Sequence, residues 1–159
     1  MSQTEVSGGV HRRSFLIAAG AGSAAFAAAQ FAPGIALADK ALTEQAIKKV
    51  IGDRKPIEGR VSIDGPEIAE NGNTVPVGFE VESKMSGGDM VKAVHIFAEG
   101  NPRPEVANFW FSEQSGAARG AFRMRMAKTQ NIIAFAEMAD GKVYMGQRLV
   151  KVTIGGCGG

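Results

Sequence analysis

Very few residues in this 159-residue chain could do chemistry by themselves. There is one cysteine, Cys157, held in the stretch Gly155-Gly156-Cys157-Gly158-Gly159. There are two histidines, His11 and His95. One cysteine and one histidine downstream of the N-terminal region cannot assemble a zinc or haem site of ordinary ligand spacing, so no metal ligand is expected. A nucleophile–base pair of Cys157 and His95 is formally open, but a thiol on a glycine tether lacks the rigidity that such a pair needs. His95 therefore reads as a packed or hydrogen-bonded residue of a strand. Glu67, Glu70, Glu80 and Glu82 read as solvated strand faces and loops rather than an acid–base pair. Met124, Met126, Met138 and Met145 read as core or packed interface. Neither a phosphate loop nor a dinucleotide fingerprint occurs. No catalytic residue is expected.

What remains is Cys157. Its glycine neighbours bring no base, no cation and no steric cover, so the protein itself does little to activate the thiol. Five residues fully extended reach roughly 17 Å, and glycine has the widest backbone freedom of any residue. A bare thiol on a flexible arm suits a carrier that offers its sulfur to active sites elsewhere. The plainer reading is a terminal tail with an incidental cysteine.

The elements that must position this arm begin after an export signal. Arg12-Arg13-Ser14-Phe15-Leu16 is followed by an alanine- and glycine-rich apolar run, and Ala36-Leu37-Ala38 is an A-x-A cleavage site. A positive start, an apolar middle and a small-residue end make a secretory signal, and the paired Arg12 and Arg13 resemble the twin-arginine (Tat) pattern. Residues 1–38 are expected to be cleaved after Ala38. A membrane anchor is the alternative, but the run is only weakly apolar. The expected location is the periplasm, with no membrane attachment once the signal is removed. In that oxidising compartment exported proteins tend to pair their cysteines, so a single leftover thiol points to a reactive group or an intermolecular bond.

Residues 39–154 are long enough for one domain with a real core. Beyond the signal, sixteen basic residues face fifteen acidic ones. That balance gives no support for nucleic-acid binding or a polybasic membrane patch. Leu42, Ala46, Ile47, Val50 and Ile51 share one helical face, which predicts a helix over Ala41 to Ile51, with Thr43 as its N-cap and Gly52 just past its end. Strands are expected at Gly59 to Asp64, Thr74 to Ser83, Val91 to Ala98, Val106 to Ser112, Gly120 to Ala127, Ile132 to Met138 and Val143 to Ile154. Pro76 makes the second of these an edge strand or places a bulge there. Asn71-Gly72-Asn73 and Asp140-Gly141 read as hairpin-type turns. The pattern predicts an all-β, immunoglobulin-like antiparallel sandwich with a short N-terminal helix, from which residues 155–159 leave as a flexible arm.

The stretches Pro66 to Val77, His95 to Pro104 and Val150 to Gly159 together resemble the SoxY family, the sulfur-carrier subunits of bacterial thiosulfate oxidation. The glycine-flanked Cys157 is the most specific of these elements. The resemblance implies a non-enzymatic carrier without a cofactor of its own. Cys157 would be the covalent attachment site, and Gly155, Gly156, Gly158 and Gly159 would form the carrier arm. It also implies a heterodimer with a SoxZ-like subunit. A SoxAX-type cytochrome would couple thiosulfate oxidatively to the thiol, giving an S-thiosulfonate. A SoxB-type hydrolase would release sulfate and leave a persulfide, and a SoxCD-type sulfane dehydrogenase is a further candidate partner. A Tat signal on a cofactor-free chain further implies export already folded with its partner.

Two rivals stand beside this reading. Gly158-Gly159 resembles the tail of ubiquitin-like sulfur carriers, but those require ATP, and the strands here are too many for a small β-grasp. The other is a periplasmic sandwich that acts as an interaction module, with Cys157 forming an intermolecular disulfide.

Overall fold

The computed structural model describes residues 34–156, so the twin-arginine pair Arg12 and Arg13, and Cys157, Gly158 and Gly159, lie outside the described residues. Helix α1 spans Gly34–Ile51. It starts upstream of the segment that periodicity predicts and is continuous across Ala38. Alanine, leucine, lysine, glutamate and glutamine are strong helix formers, and they make up most of this stretch on both sides of Thr43. Thr43 is consequently no N-cap. It lies in the helix interior, only 4% exposed, with its hydroxyl donating to the Glu99 carbonyl at 3.4 Å.

The C-terminal end of α1 follows expectation. Gly52 takes a positive φ of 65° and returns its N–H to the Lys48 carbonyl at 2.9 Å, the left-handed cap that glycine adopts without steric cost. Arg54 adds a second cap, with Nε donating to the Ile51 carbonyl at 2.7 Å.

Among the described residues nine strands follow: β1 Ile57–Glu58, β2 Val61–Asp64, β3 Ile68–Asn71, β4 Val75–Val81, β5 Val91–Ala98, β6 Glu105–Trp110, β7 Ala118–Met124, β8 Gln130–Met138 and β9 Val143–Ile154. They form two sheets. The larger has the order β1-β9-β8-β5-β6, with β3 also on β9, and the smaller has the order β2-β4-β7. The long strands pair antiparallel, as the alternation predicts. The two short strands β1 and β3 instead run parallel to β9. The architecture is an immunoglobulin-like β-sandwich with, among the described residues, one α-helix.

Alternation along β4 buries Val75, Val77, Phe79 and Val81 on one face. They meet Val94, Ile96, Ile132, Ala134 and Val150 from the larger sheet, and Met124, Met126 and Met138 complete this core. Phe79 of the smaller sheet stacks on Phe109 of the larger at 4.8 Å between ring centroids, and Phe109 contacts Phe122 at 5.6 Å. Pro76 lies where β4 extends past β2 and pairs only with β7, so a residue without an N–H fits a local edge. The outer face of the larger sheet is covered by α1. Ala46, Ile47, Val50 and Ile51 pack on Phe97, Ile133, Phe135 and Val143.

The two expected hairpin turns divide. Asp140-Gly141 joins β8 to its antiparallel partner β9, with Gly141 at φ 88°. Asn71-Gly72-Asn73 is not a hairpin. β3 before it belongs to the larger sheet and β4 after it to the smaller, so the turn carries the chain from one sheet to the other.

Candidate functional site

The stretch expected to form the carrier arm begins at the end of β9. That strand runs twelve residues to Ile154, and its last residues are held on two sides. On one side β3 pairs with it as far as Asn71 opposite Ile154. Thr153 Oγ1 adds a hydrogen bond to the Glu70 carbonyl at 2.8 Å, and the Gly72 N–H donates to the Ile154 carbonyl at 2.8 Å. On the other side stands the turn that joins β7 to β8. Thr129 Oγ1 accepts the Val152 N–H at 2.9 Å.

The first two glycines of the arm are bound into the same place. Gly156 is buried, and its N–H donates to the Met126 carbonyl at 3.0 Å, while the Met126 N–H donates to the Gly72 carbonyl at 2.8 Å. The packing is too close for side chains. A Cβ on Gly72 would lie 2.3 Å from the Met126 carbonyl oxygen and 2.6 Å from the Gly156 nitrogen. A Cβ on Gly155 would lie 2.3 Å from the Ala127 carbonyl oxygen, and one on Gly156 would lie 2.8 Å from the Gly72 carbonyl oxygen. The residue pattern predicts a tether free from Gly155 onward. Instead, Gly155 and Gly156 are seated, because with no Cβ they can lie against two backbone segments at once.

Two buried amides hold that seat in shape. Asn101 is 7% exposed and Gln130 is 4% exposed. Asn101 Nδ2 donates to the Arg125 carbonyl at 2.8 Å, and its Oδ1 accepts from the Ala127 N–H at 3.0 Å and from Gln130 Nε2 at 2.9 Å. Gln130 Oε1 accepts the Gly100 N–H at 2.7 Å, and Nε2 also donates to the Lys128 carbonyl at 3.1 Å. Buried amides are tolerated when their partners are supplied in this way. The two loops around Asn101 and Met126 are thereby fixed to each other, and the Met126 carbonyl is aimed at Gly156. Arg125 and Lys128, both exposed, flank the turn.

Sequence reading does not single out Gly72, Asn101 or Gln130 for the site. Gly72 carries a signal that points elsewhere, to a hairpin. Asn101 lies in the stretch His95 to Pro104, whose resemblance to the family assigns no role to this residue. Cys157, Gly158 and Gly159 are beyond the described residues, so the structure reports the base of the arm and not its tip.

The other candidates fall away from the arm. His95 is 8% exposed, with Nδ1 2.7 Å from Asn108 Oδ1 and Nε2 3.1 Å from Glu137 Oε1. It is a satisfied, buried histidine, as its strand setting suggests. His95 stands opposite Phe135, and Phe135 opposite Met145, nine residues before Ile154 on β9. At about 3.3 Å per residue that is roughly 30 Å from the base of the arm, out of reach of a residue that directly follows Gly156. Burial pushes the Glu137 carboxyl up, but the Arg54 guanidinium bonded to it at 2.8 Å, with His95 on the other oxygen, outweighs this and holds it below the usual carboxylate range. Met124, Met126 and Met138 are core, and Met145 packs beneath α1.

The family model described as "Sulfur oxidation protein SoxY" matches residues 47–157, a span that takes in Cys157. Among solved structures, the sulfur carrier protein SoxY from Chlorobium limicola f thiosulfatophilum is similar at 35% sequence identity, with a TM-score of 0.62, over 72% of this chain and 98% of that one. Two superoxide reductase (neelaredoxin) structures from Ignicoccus hospitalis, one of them a substituted variant, share the fold alone. They are 13% and 15% identical, with TM-scores of 0.51 and 0.52, over 59% and 67% of this chain and 80% and 86% of theirs. No curated protein matches the chain significantly.

Proposed function

This chain belongs to the SoxY family and so takes the part of a sulfur carrier in sulfur oxidation, and from that premise we propose that Cys157 is the residue that carries the sulfur. The observation that supports this most is the continuity of the arm with the fold. The family match runs through residue 157, and Gly156, which precedes the cysteine, is fixed at the end of β9.

The chemistry follows from a thiol that other proteins act upon. Thiosulfate joins the Cys157 sulfur through its outer, sulfane sulfur, forming a new S–S bond. The thiol proton is released, and two electrons pass to a partner of the cytochrome class. Water then cleaves the bond between the sulfane sulfur and the sulfonate group in a hydrolase partner. Sulfate leaves, and Cys157 keeps a persulfide. Oxidation or transfer of that sulfane sulfur returns the thiol. The carrier needs no cofactor of its own in this cycle, because each activating group belongs to a partner.

The cycle runs in the periplasm in this reading, after export through the twin-arginine signal and cleavage beyond Ala38, with a SoxZ-like subunit as the constant partner. The test is thiosulfate-dependent electron transfer in a reconstituted system with the Cys157→Ser chain in place of the parent. Loss of turnover with heterodimer formation intact supports the proposal, and turnover equal to the parent contradicts it.

A further inference from the structure

The contacts that seat Gly156 are separate from those that hold the end of β9. While Gly156 is bound to Met126, the thiol-bearing residue begins one Cα step, about 3.8 Å, beyond the fold. The strand end behind it is anchored separately, by the Gly72 N–H on the Ile154 carbonyl. Breaking only the bond from Gly156 to Met126 therefore frees Gly155 and Gly156 while β9 stays in register. Two more residues enter the arm, adding about 7 Å of reach. The close approaches of Gly72 and Gly155 to backbone oxygens show that both positions lack room for a side chain.

We infer that Gly72 is a positioning residue of the carrier: with Met126 and Ala127 it forms a seat that holds the arm short, and release from this seat lengthens the arm for delivery. This rests on the carrier reading of Cys157, yet it makes a separate claim about the backbone before it. A partner that takes the thiol into a recessed active site must draw Gly155 and Gly156 out of the seat. A partner that works at the surface can use the short arm.

Amide hydrogen exchange of the full mature chain, read by NMR, tests the seat without any sulfur loading. The Gly156 amide should exchange at least about tenfold slower than an unstructured glycine amide, because a single hydrogen bond sustains protection of that order. Gly72→Ala and Gly155→Ala should each abolish that protection while the amides of Ile132 to Ala136 stay protected. Alkylation of Cys157 by a bulky maleimide, relative to a small one, should rise in both variants. If Gly72→Ala disturbs the sandwich as a whole, seen as lost protection in β8, Gly155→Ala decides, since its new methyl meets only the Ala127 carbonyl region. An unprotected Gly156 amide in the parent chain, or protection unchanged in Gly155→Ala, overturns the inference. Neither result touches the assignment of Cys157, which loading experiments judge independently.

Discussion

Gly72 and Gly156 sit so close that neither has room for a side chain: a Cβ on the first would be 2.6 Å from the nitrogen of the second, and a Cβ on the second 2.8 Å from the carbonyl oxygen of the first. Gly72 is the bend between two sheets, and Gly156 is the residue before Cys157. Their contact makes Gly155 and Gly156 an extension of the sandwich. The hydrogen bond from the Gly156 N–H to the Met126 carbonyl extends the fixed backbone two residues past the end of β9.

The amides beneath the seat should matter more than their distance from Cys157 suggests. Asn101→Ala removes three hydrogen bonds at once and leaves the Ala127 N–H, the Arg125 carbonyl and Gln130 Nε2 short of a partner. An unsatisfied buried group costs about 1–3 kcal/mol, so the variant should lose about 3 kcal/mol in urea unfolding. A loss below about 0.5 kcal/mol would show that the two loops do not depend on Asn101.

The core that joins the sheets should be equally sensitive. Phe79 contacts Phe109 at 4.8 Å and Phe111 at 6.3 Å, linking both sheets through one ring. Phe79→Ala should cost about 3–5 kcal/mol, the usual range for emptying a buried aromatic site. Denaturant titration monitored at Trp110 provides the measurement. A midpoint equal to that of the parent would contradict this role.

Acid should loosen the outer face of the larger sheet through Glu137. Its folded pKa is depressed by Arg54 and His95 despite burial. A depressed carboxyl contributes stability that is whole above its unfolded value, about 4.3, and is lost as pH falls through the lower folded value. The stability gap between the parent and Glu137→Gln should therefore be constant at neutral pH and shrink below about pH 4. A gap that does not change between pH 7 and pH 3 would mean that the charge of Glu137 plays no part.

Much of the sandwich is readable because its long strands state their own faces. β5 and β9 have the bounds that the residue pattern predicts, and β4 alternates apolar and polar residues along its length. β1 and β3 escape because two and four residues carry no usable period, and both exist through parallel backbone pairing with the distant β9. Thr43 misleads for a related reason. A threonine ahead of a periodic apolar face looks like a cap, yet the helix continues upstream and the hydroxyl serves a contact with Glu99, 56 residues away in sequence. In the site, Cys157 stands out by chemistry, while Gly72, Asn101 and Gln130 are defined by long-range backbone contacts. No local pattern in the chain encodes those.

Export should depend on the paired arginines. Replacing Arg12 and Arg13 with lysine should leave the uncleaved precursor in the cytoplasm and strand a SoxZ-like partner with it, as fractionation and immunoblotting would report. Mature chain in the periplasm at the parent level would exclude the twin-arginine route. A partner that still reached the periplasm alone would show that the two are not exported together.

The central claim is that sulfur rides on Cys157, and intact-mass spectrometry of the chain isolated from cells oxidising thiosulfate tests it most directly. The account predicts masses of thiosulfonate and persulfide adducts that map to Cys157 and vanish in Cys157→Ser. A chain found only as free thiol and as a disulfide-linked dimer would contradict it.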